Sequence, residues 1–124
     1  MKKLKIKTNK KKEVIDITNK VQKVLVEESS TCNLLLTHTT AALTTADLDP
    51  GTDLDMLDAF EEIMPNLDYR HPHNPEHAPD HILSSIIGTS LSLPVENGEL
   101  LLGAWQRIVL IELDGPRERT VIVF

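Results

Sequence analysis

The chain has 124 residues, of which 40% are hydrophobic and 26% charged, and its formal net charge is −6 at pH 7. This composition predicts one globular domain, residues 1–124, and excludes a disordered chain. With one cysteine, no internal disulfide framework can form. Because the sequence also lacks an apolar signal core and a bilayer-length apolar run, we expect a cytoplasmic protein with no membrane partner.

The charges divide sharply along the chain. All nine lysines lie at or before Lys23, where two acids leave a net charge of +7, whereas beyond Lys23 four arginines and seventeen acids leave −13. A basic segment on an acidic body is one feature of nucleic-acid binding proteins. However, the first lysines alternate with Leu4, Ile6 and Thr8, which is typical of a protected edge strand. We favour the edge strand, because no aromatic or arginine side chain interleaves the lysines to contact bases.

Apolar periodicity predicts short alternating elements in the first half of the chain. A second strand over 14–17 is expected to form a hairpin with the opening strand, and a helix follows over about 19–28. A buried strand over 32–36 then leads to His38. Residues 41–46 have the character of a strand or a turn.

A longer amphipathic helix follows a turn signal. Thr52 and Asp55 resemble a capping box, and apolar residues recur at helical spacing until Pro65 stops the helix. The polar, proline-rich segment after it is predicted to be a loop. A short helix is then expected to begin at Pro79 and to end before Gly88.

The last third of the chain predicts strands. Residues 96–98, Glu-Asn-Gly, are a strong hairpin signal between two apolar runs. The run 105–113 is predicted to be a strand covered on both faces, with Trp105 in the core or at an interface. A turn over 114–116 leads to a final strand over 119–124. The elements together predict an α+β fold with antiparallel, β-sandwich-like sheets and about three helices.

Histidines supply the first candidate site. Four of the five fall within eleven residues, namely His71, His73, His77 and His81. Imidazole is a common ligand of zinc and other first-row metals, but no recognised ligand spacing is present, so a site and an ordinary polar loop both remain open. His38 ends an apolar strand and precedes several threonines. Asp47 and Asp49 lie before the acidic helix, where they are placed to meet a metal or a substrate.

Polar residues near the C-terminus supply further candidates. Gln106 and Glu112 interrupt an apolar run, and buried polar groups need partners. Arg117 is able to bind a carboxylate or a phosphate through two nitrogens, or to clamp its own turn by pairing with Asp114. The sequence favours neither alternative.

Several motifs occur in a fixed order: His38-Thr39-Thr40-Ala41, Tyr69-Arg70-His71, Asn74, His81-Ile82, Gly88-Thr89-Ser90, Pro94-Val95, Leu102-Gly103-Ala104-Trp105-Gln106 and Asp114-Gly115-Pro116-Arg117. From about Thr8 to the last residue, the chain resembles the YjbQ family, an uncharacterised protein family that is also called secondary thiamine-phosphate synthase. The resemblance implies a compact α+β domain that assembles as a homotrimer.

The resemblance also implies a site and a reaction. The reaction joins hydroxymethylpyrimidine diphosphate to a thiazole phosphate, so the expected partner is a small phosphorylated molecule. A divalent metal, zinc or magnesium, is expected on His38, His71 and His81; histidines favour zinc, whereas magnesium favours oxygen ligands. Catalytic roles are predicted for His38, Asp47, His71 and His81, and substrate binding for Thr39, Asn74, Gln106 and Arg117.

Residues 46–47, Ala-Asp, depart from the Asn-Glu that is common in the family, and the shorter acid alters the expected metal geometry. Three functions follow in order of preference. The first is a metal-dependent enzyme acting on a phosphorylated substrate. The second is a non-enzymatic protein that binds a metabolite or anion in the same pocket, and the third is a nucleic-acid binder that uses the lysine-rich segment.

Overall fold

A computed structural model describes residues 1–26 and 28–124. In these residues the strands are β1 (Lys2–Lys7), β2 (Glu13–Asp16), β3 (Thr31–Leu36), β4 (Ala41–Ala46), β5 (Ser90–Glu96), β6 (Glu99–Leu100), β7 (Arg107–Glu112) and β8 (Glu118–Val123). The helices are α1 (Thr18–Gln22), α2 (Thr52–Ile63) and α3 (Ala78–Ile87), and a 3₁₀ turn, Pro75–His77, precedes α3. The predicted α+β class is confirmed.

The strands form two antiparallel sheets. The larger has the order β1-β8-β3-β5-β6 and the smaller has the order β2-β7-β4. The lysine-rich β1 is an edge strand, as predicted, and the β5–β6 hairpin is also confirmed. The predicted β1–β2 hairpin is wrong, because β1 pairs with β8 while β2 pairs with β7. The connection carries the chain between sheets, and the Glu13 carboxylate holds it by accepting hydrogen bonds from the Asn9 and Lys10 amides.

Side-chain alternation along β4 and β7 builds two hydrophobic cores, since successive residues of a strand point to opposite faces. Ile108 and Leu110 of β7 pack between the two sheets. Val109 and Ile111 pack on the opposite face, against α2 and α3. The protein therefore has three layers, with the small sheet in the middle. The prediction that this strand is covered on both faces is confirmed for β7.

The first helix is shorter than predicted. It ends at Gln22 instead of reaching about residue 28, and Glu27 lies outside the described residues. Gln22 anchors the chain to the β5–β6 hairpin: its Nε2 donates to the Gly98 carbonyl at 2.7 Å, and its Oε1 accepts from the Leu100 amide at 3.0 Å. One helical turn is enough to bury Val21 completely. The contacts of Gln22 and Val21 with the rest of the protein thus end the helix early, although the sequence beyond Gln22 has a weak helical periodicity.

The helices α2 and α3 match their predicted limits closely, but the predicted capping box is wrong. Thr52 is the first residue of α2 and makes no capping hydrogen bond; Gly51 precedes it with a φ of +93°, a conformation that glycine adopts readily. Trp105 is 75% exposed, so it does not lie in the core of the chain, and its predicted place at an interface stays a prediction. In the part of the chain that the structure describes, no helix is long and apolar enough to cross a membrane.

Candidate functional site

One end of the molecule gathers most of the histidines. The Ser84 hydroxyl donates to the Ala41 carbonyl at 2.7 Å, and the Leu43 amide donates to the Gly88 carbonyl at 2.9 Å, so α3 runs alongside β4 in the same direction. The first turn of α3 therefore lies beside the residues that follow β7. We call the surface formed by His38, residues 71–81 and residues 113–117 the histidine end.

His71 and His81 stack on each other in the histidine end. Their ring centroids are 5.0 Å apart and their planes differ by 18°. The Asn74 amide donates to His71 Nδ1 at 3.2 Å, which fixes the ring and places its proton on Nε2 when the imidazole is neutral. The exposed His73 meets the edge of His71 at a centroid distance of 6.4 Å. Loop and helix thus bring two of the three predicted metal ligands together.

His77 joins this cluster to the turn after β7. Its Nε2 lies 3.4 Å from Asn74 Nδ2 and 4.0 Å from Asp114 Oδ1. The other carboxylate oxygen of Asp114 accepts a hydrogen bond from Arg117 at 3.0 Å. The turn clamp between Arg117 and Asp114 is therefore present. Because the Arg117 side chain is still 50% exposed, its remaining N–H groups can reach a ligand.

His38 is tied to strand β8. Its Nε2 accepts a hydrogen bond from the Thr120 amide at 2.9 Å, so the neutral ring carries its proton on Nδ1. Burial lowers the pKa of His38 below its usual value, the positive charges of Arg119, Arg117 and Lys5 lower it further, and only the charge of Glu112 opposes them. The surroundings of His38 therefore favour the neutral ring, and its Nε2 already accepts a hydrogen bond from the backbone.

This arrangement predicts a pH-dependent stability. A group whose pKa is lowered by folding binds protons more readily in the unfolded chain, so we expect stability to fall as the pH drops from about 6.5, the ordinary value, through the folded pKa. Glutamine at position 38 can still accept from the Thr120 amide but does not titrate. Chemical denaturation between pH 8 and pH 5 should therefore show a smaller loss of stability for His38→Gln. Parallel pH profiles for the two proteins would show that the lowered pKa of His38 does not cause the pH dependence.

A buried ion pair lies beneath His38, and the sequence did not predict its cationic partner. Arg119 donates to both carboxylate oxygens of Glu112, through Nε at 2.8 Å to Oε2 and through NH2 to Oε1. The same NH2 group donates to the Thr40 hydroxyl at 2.9 Å and to the Thr40 carbonyl at 3.0 Å. The pair fixes the segment that carries His38 onto β7 and β8. Arg119 shares one face of β8 with the apolar Val121 and Val123. This alternation was the signal in the sequence that the arginine is buried.

Asp47 and Gln106 lie at the opposite end of the small sheet. Ala41 pairs with Glu112 and Ala46 pairs with Arg107, so the six residues of β4, a length of roughly 20 Å, separate Asp47 from the histidine end. Gln106 precedes β7, is exposed, and donates to the Thr45 hydroxyl at 2.9 Å. One chain therefore does not bring Asp47 or Gln106 to the histidines, although Asn74 and Arg117 do lie near them.

The donor groups in the described part of the chain do not fit a metal ion. Within residues 1–26 and 28–124, no group of three or more His, Cys, Asp or Glu side chains is arranged to hold one. His38 Nε2 and His71 Nδ1 both accept hydrogen bonds from backbone amides. Asp47, the acid predicted to belong to the site, lies at the other end of β4. Zinc needs three or four converging donors, and magnesium needs oxygen ligands in octahedral geometry. Residues 1–26 and 28–124 of one chain provide neither arrangement.

The two sheets, the two long helices and the histidine end define a small α+β domain with an imidazole-lined surface. A family model described as "UPF0047 protein YjbQ-like" matches residues 2–124. The chain belongs to this YjbQ family, as its motifs indicated. The UPF0047 protein YugU of Bacillus subtilis is 41% identical over 99% of this chain and 96% of its own length. A UPF0047 protein of Archaeoglobus fulgidus is 38% identical over 97% and 96%.

Solved structures share the fold. A conserved hypothetical protein from Thermus thermophilus superposes with a TM-score of 0.90 at 33% identity, covering 100% of this chain and 98% of that one. An uncharacterized conserved protein of the YjbQ/UPF0047 family from Clostridium acetobutylicum gives a TM-score of 0.88 at 35% identity, over 100% and 98%. The architecture described above is thus that of the family.

Proposed function

We propose that this protein is an enzyme that acts on a small phosphorylated substrate at the histidine end. The observation that carries the proposal is the stacked pair of His71 and His81 beside the linked group of His77, Asp114 and Arg117. An imidazole N–H group can donate a hydrogen bond to an anion, and a guanidinium group binds phosphate through two parallel hydrogen bonds. Both functional groups meet on one surface.

The proposed reaction is the one that the family resemblance implies, thiamine-phosphate synthesis. The bond between the pyrimidine methylene carbon and the diphosphate oxygen breaks, the thiazole nitrogen bonds to that carbon, and diphosphate leaves. The new C–N bond requires no proton transfer, so the enzyme has to stabilise the negative charge that develops on the leaving group. Arg117 supplies positive charge for this task, and the imidazole N–H groups of His71 and His81 can donate hydrogen bonds to the leaving group. No step is assigned to a metal, because the described residues of one chain do not converge to hold one.

We further propose that the chain assembles as a homotrimer in which a second copy supplies Asp47 and Gln106 to the histidine end. Two features support this proposal. The separation along β4 leaves the predicted site incomplete within one chain. Trp105 and Leu101, which lie near Gln106, are 75% and 53% exposed, and large apolar side chains of this kind are often covered in an assembly. Any zinc site would then draw its donors from two chains.

A mass-spectrometric assay with hydroxymethylpyrimidine diphosphate and thiazole phosphate tests the activity. We expect thiamine phosphate from the unmodified chain, and a fall in kcat/KM of roughly 10²-fold for His81→Gln and for Arg117→Gln. The matched control is His73→Gln, because His73 is exposed at the rim of the same loop and should remain near full activity. Sedimentation velocity of the same preparations measures the molar mass of the assembly and so tests the proposed homotrimer. Absence of product, or equal rates for His73→Gln and His81→Gln, would refute the proposed enzymatic activity at the histidine end.

A non-enzymatic anion-binding protein is the second candidate. It is favoured by the internal hydrogen bonds that already occupy His38 Nε2 and Asp114. This alternative expects diphosphate to raise the melting temperature without any conversion of the substrates. The same mass-spectrometric assay therefore separates the two functions.

A further inference from the structure

A cleft lies between α2, the segment that follows it, and the first turns of α3. Its volume is about 350 Å³, which falls within the range of small-molecule sites. Apolar side chains from both helices and from the residue after β7 form its walls, namely Leu57, Phe60, Met64, Leu83 and Leu113. The cleft is therefore suited to the body of an apolar organic molecule.

An ion pair forms the polar part of the cleft. Lys12 Nζ donates to Asp80 Oδ1 at 3.0 Å and to the Leu113 carbonyl at 3.3 Å. The Asp80 side chain is only 7% exposed, whereas that of Lys12 is 38% exposed. Among the hydrogen bonds of the described residues, Lys12 is the partner of this carboxylate and engages Oδ1. A carboxylate can accept about four hydrogen bonds, so Asp80 retains the capacity to accept one from a ligand.

The charges around the cleft favour a cation. Glu61 and Glu76 also line it and are exposed, so three carboxylates accompany the single ammonium group of Lys12. A concave surface with an excess of one charge concentrates ligands of the opposite charge. Phosphates and carboxylates are disfavoured here for the same reason, so the cleft differs in its class of ligand from the anion site proposed at the adjoining histidine end.

We propose that the cleft binds a small organic amine. Its protonated amino group donates to the Asp80 carboxylate beside Lys12, and its apolar body packs against the side chains of α2 and α3. This contact between an ammonium group and a buried carboxylate is a charge-assisted hydrogen bond, which is stronger than a neutral one. The proposal needs no turnover, so it stands or falls independently of the proposed enzyme.

Three probes of matched shape test the class of ligand. Benzylamine, benzyl alcohol and benzoate share the aromatic ring and differ in the charge of the polar group. Titration calorimetry on the full chain is expected to show benzylamine binding about tenfold more tightly than benzyl alcohol, with no binding of benzoate. Equal affinities for the three probes, or no binding of benzylamine, would overturn the proposal; the latter is also the result expected if a second copy of the chain fills the cleft.

Three variants, one of them a control, locate the binding. Asp80→Asn keeps the shape of the side chain and removes its charge, so benzylamine should bind about tenfold more weakly. Glu99→Gln removes an exposed acid on β6, in the larger sheet, and should leave the affinity unchanged. Leu57→Trp narrows the cleft without altering its charge and should abolish binding. Equal losses in Asp80→Asn and Glu99→Gln would show a general charge effect and refute the site.

Discussion

Replacing Arg119 with methionine is expected to lower the free energy of unfolding by about 3–5 kcal/mol. Arg119 and Glu112 are 1% and 0% exposed, so the substitution leaves an ionised carboxylate in the core without its partner. In a domain of this size the loss corresponds to a fall in melting temperature of roughly 10–20 °C. Thermal and urea unfolding at pH 7 measure it directly.

The matched control for this prediction is Arg107→Met. Arg107 also pairs with a carboxylate, that of Asp16 at 2.7 Å, but both side chains are about one-third exposed. Water replaces the lost partner at such a surface, so the expected cost is about 0–1 kcal/mol. If the two variants lost equal stability, burial of the Glu112–Arg119 pair would not be the cause.

The pH dependence of Arg119→Met follows from the same pair. Burial raises the pKa of Glu112, but hydrogen bonds from Arg119 and from the Asp114 amide outweigh burial, and the pKa lies below its ordinary value of 4.5. A lowered pKa contributes stability above about pH 4.5, and that contribution is lost as the pH falls through the folded pKa. The gap in stability between the unmodified chain and the variant should therefore narrow in acid.

Replacing Gly115 with alanine is expected to destabilise the protein by about 3 kcal/mol or more. A Cβ atom at this position would collide with the Lys10 carbonyl oxygen and would lie 2.8 Å from Glu112 Cγ and 2.9 Å from Thr8 Oγ1. The Gly115 amide also donates to the Lys11 carbonyl at 2.9 Å, which holds the turn against the β1–β2 connection. Neither backbone can move away without breaking this contact.

Gly103→Ala provides the comparison. Its new methyl group would find its nearest neighbours at 3.6 and 3.7 Å, both in the Gln106 side chain, so we expect nearly unchanged stability. Urea unfolding of both variants gives the difference, and the yield of folded protein gives it if Gly115→Ala does not fold. A small effect at both glycines would contradict the close approach at Gly115.

The sequence predicted those parts of the fold that depend on local pattern. Pro65, Pro79 and Gly88 marked helix limits because their backbone preferences act within a few residues. Asn97-Gly98 marked a hairpin for the same reason. The β1–β2 connection has the length and polarity of a hairpin turn, but whether its flanking strands pair depends on distant partners. Here β1 pairs with β8 and β2 pairs with β7, and the residues of the connection carry no signal of this pairing.

The candidate site was predictable only in part. His71 and His81 are ten residues apart, and a proline-rich loop leading into a short helix was enough to suggest that they lie near each other. The relation of Asp47 to His38 depends instead on the direction in which β4 runs from one to the other. The two residues are only nine positions apart in the sequence. Because the intervening strand is extended, however, they lie at opposite ends of the small sheet.

Strand β7 serves as a wall common to both hydrophobic cores. Its alternate side chains fill the space between the sheets and the space beneath the helices, and it pairs with a strand on each edge. Loss of either core removes the packing on one face of β7, and thereby weakens the support of the other core. We therefore expect the domain to unfold as a single cooperative unit whose slowest-exchanging amides belong to β7.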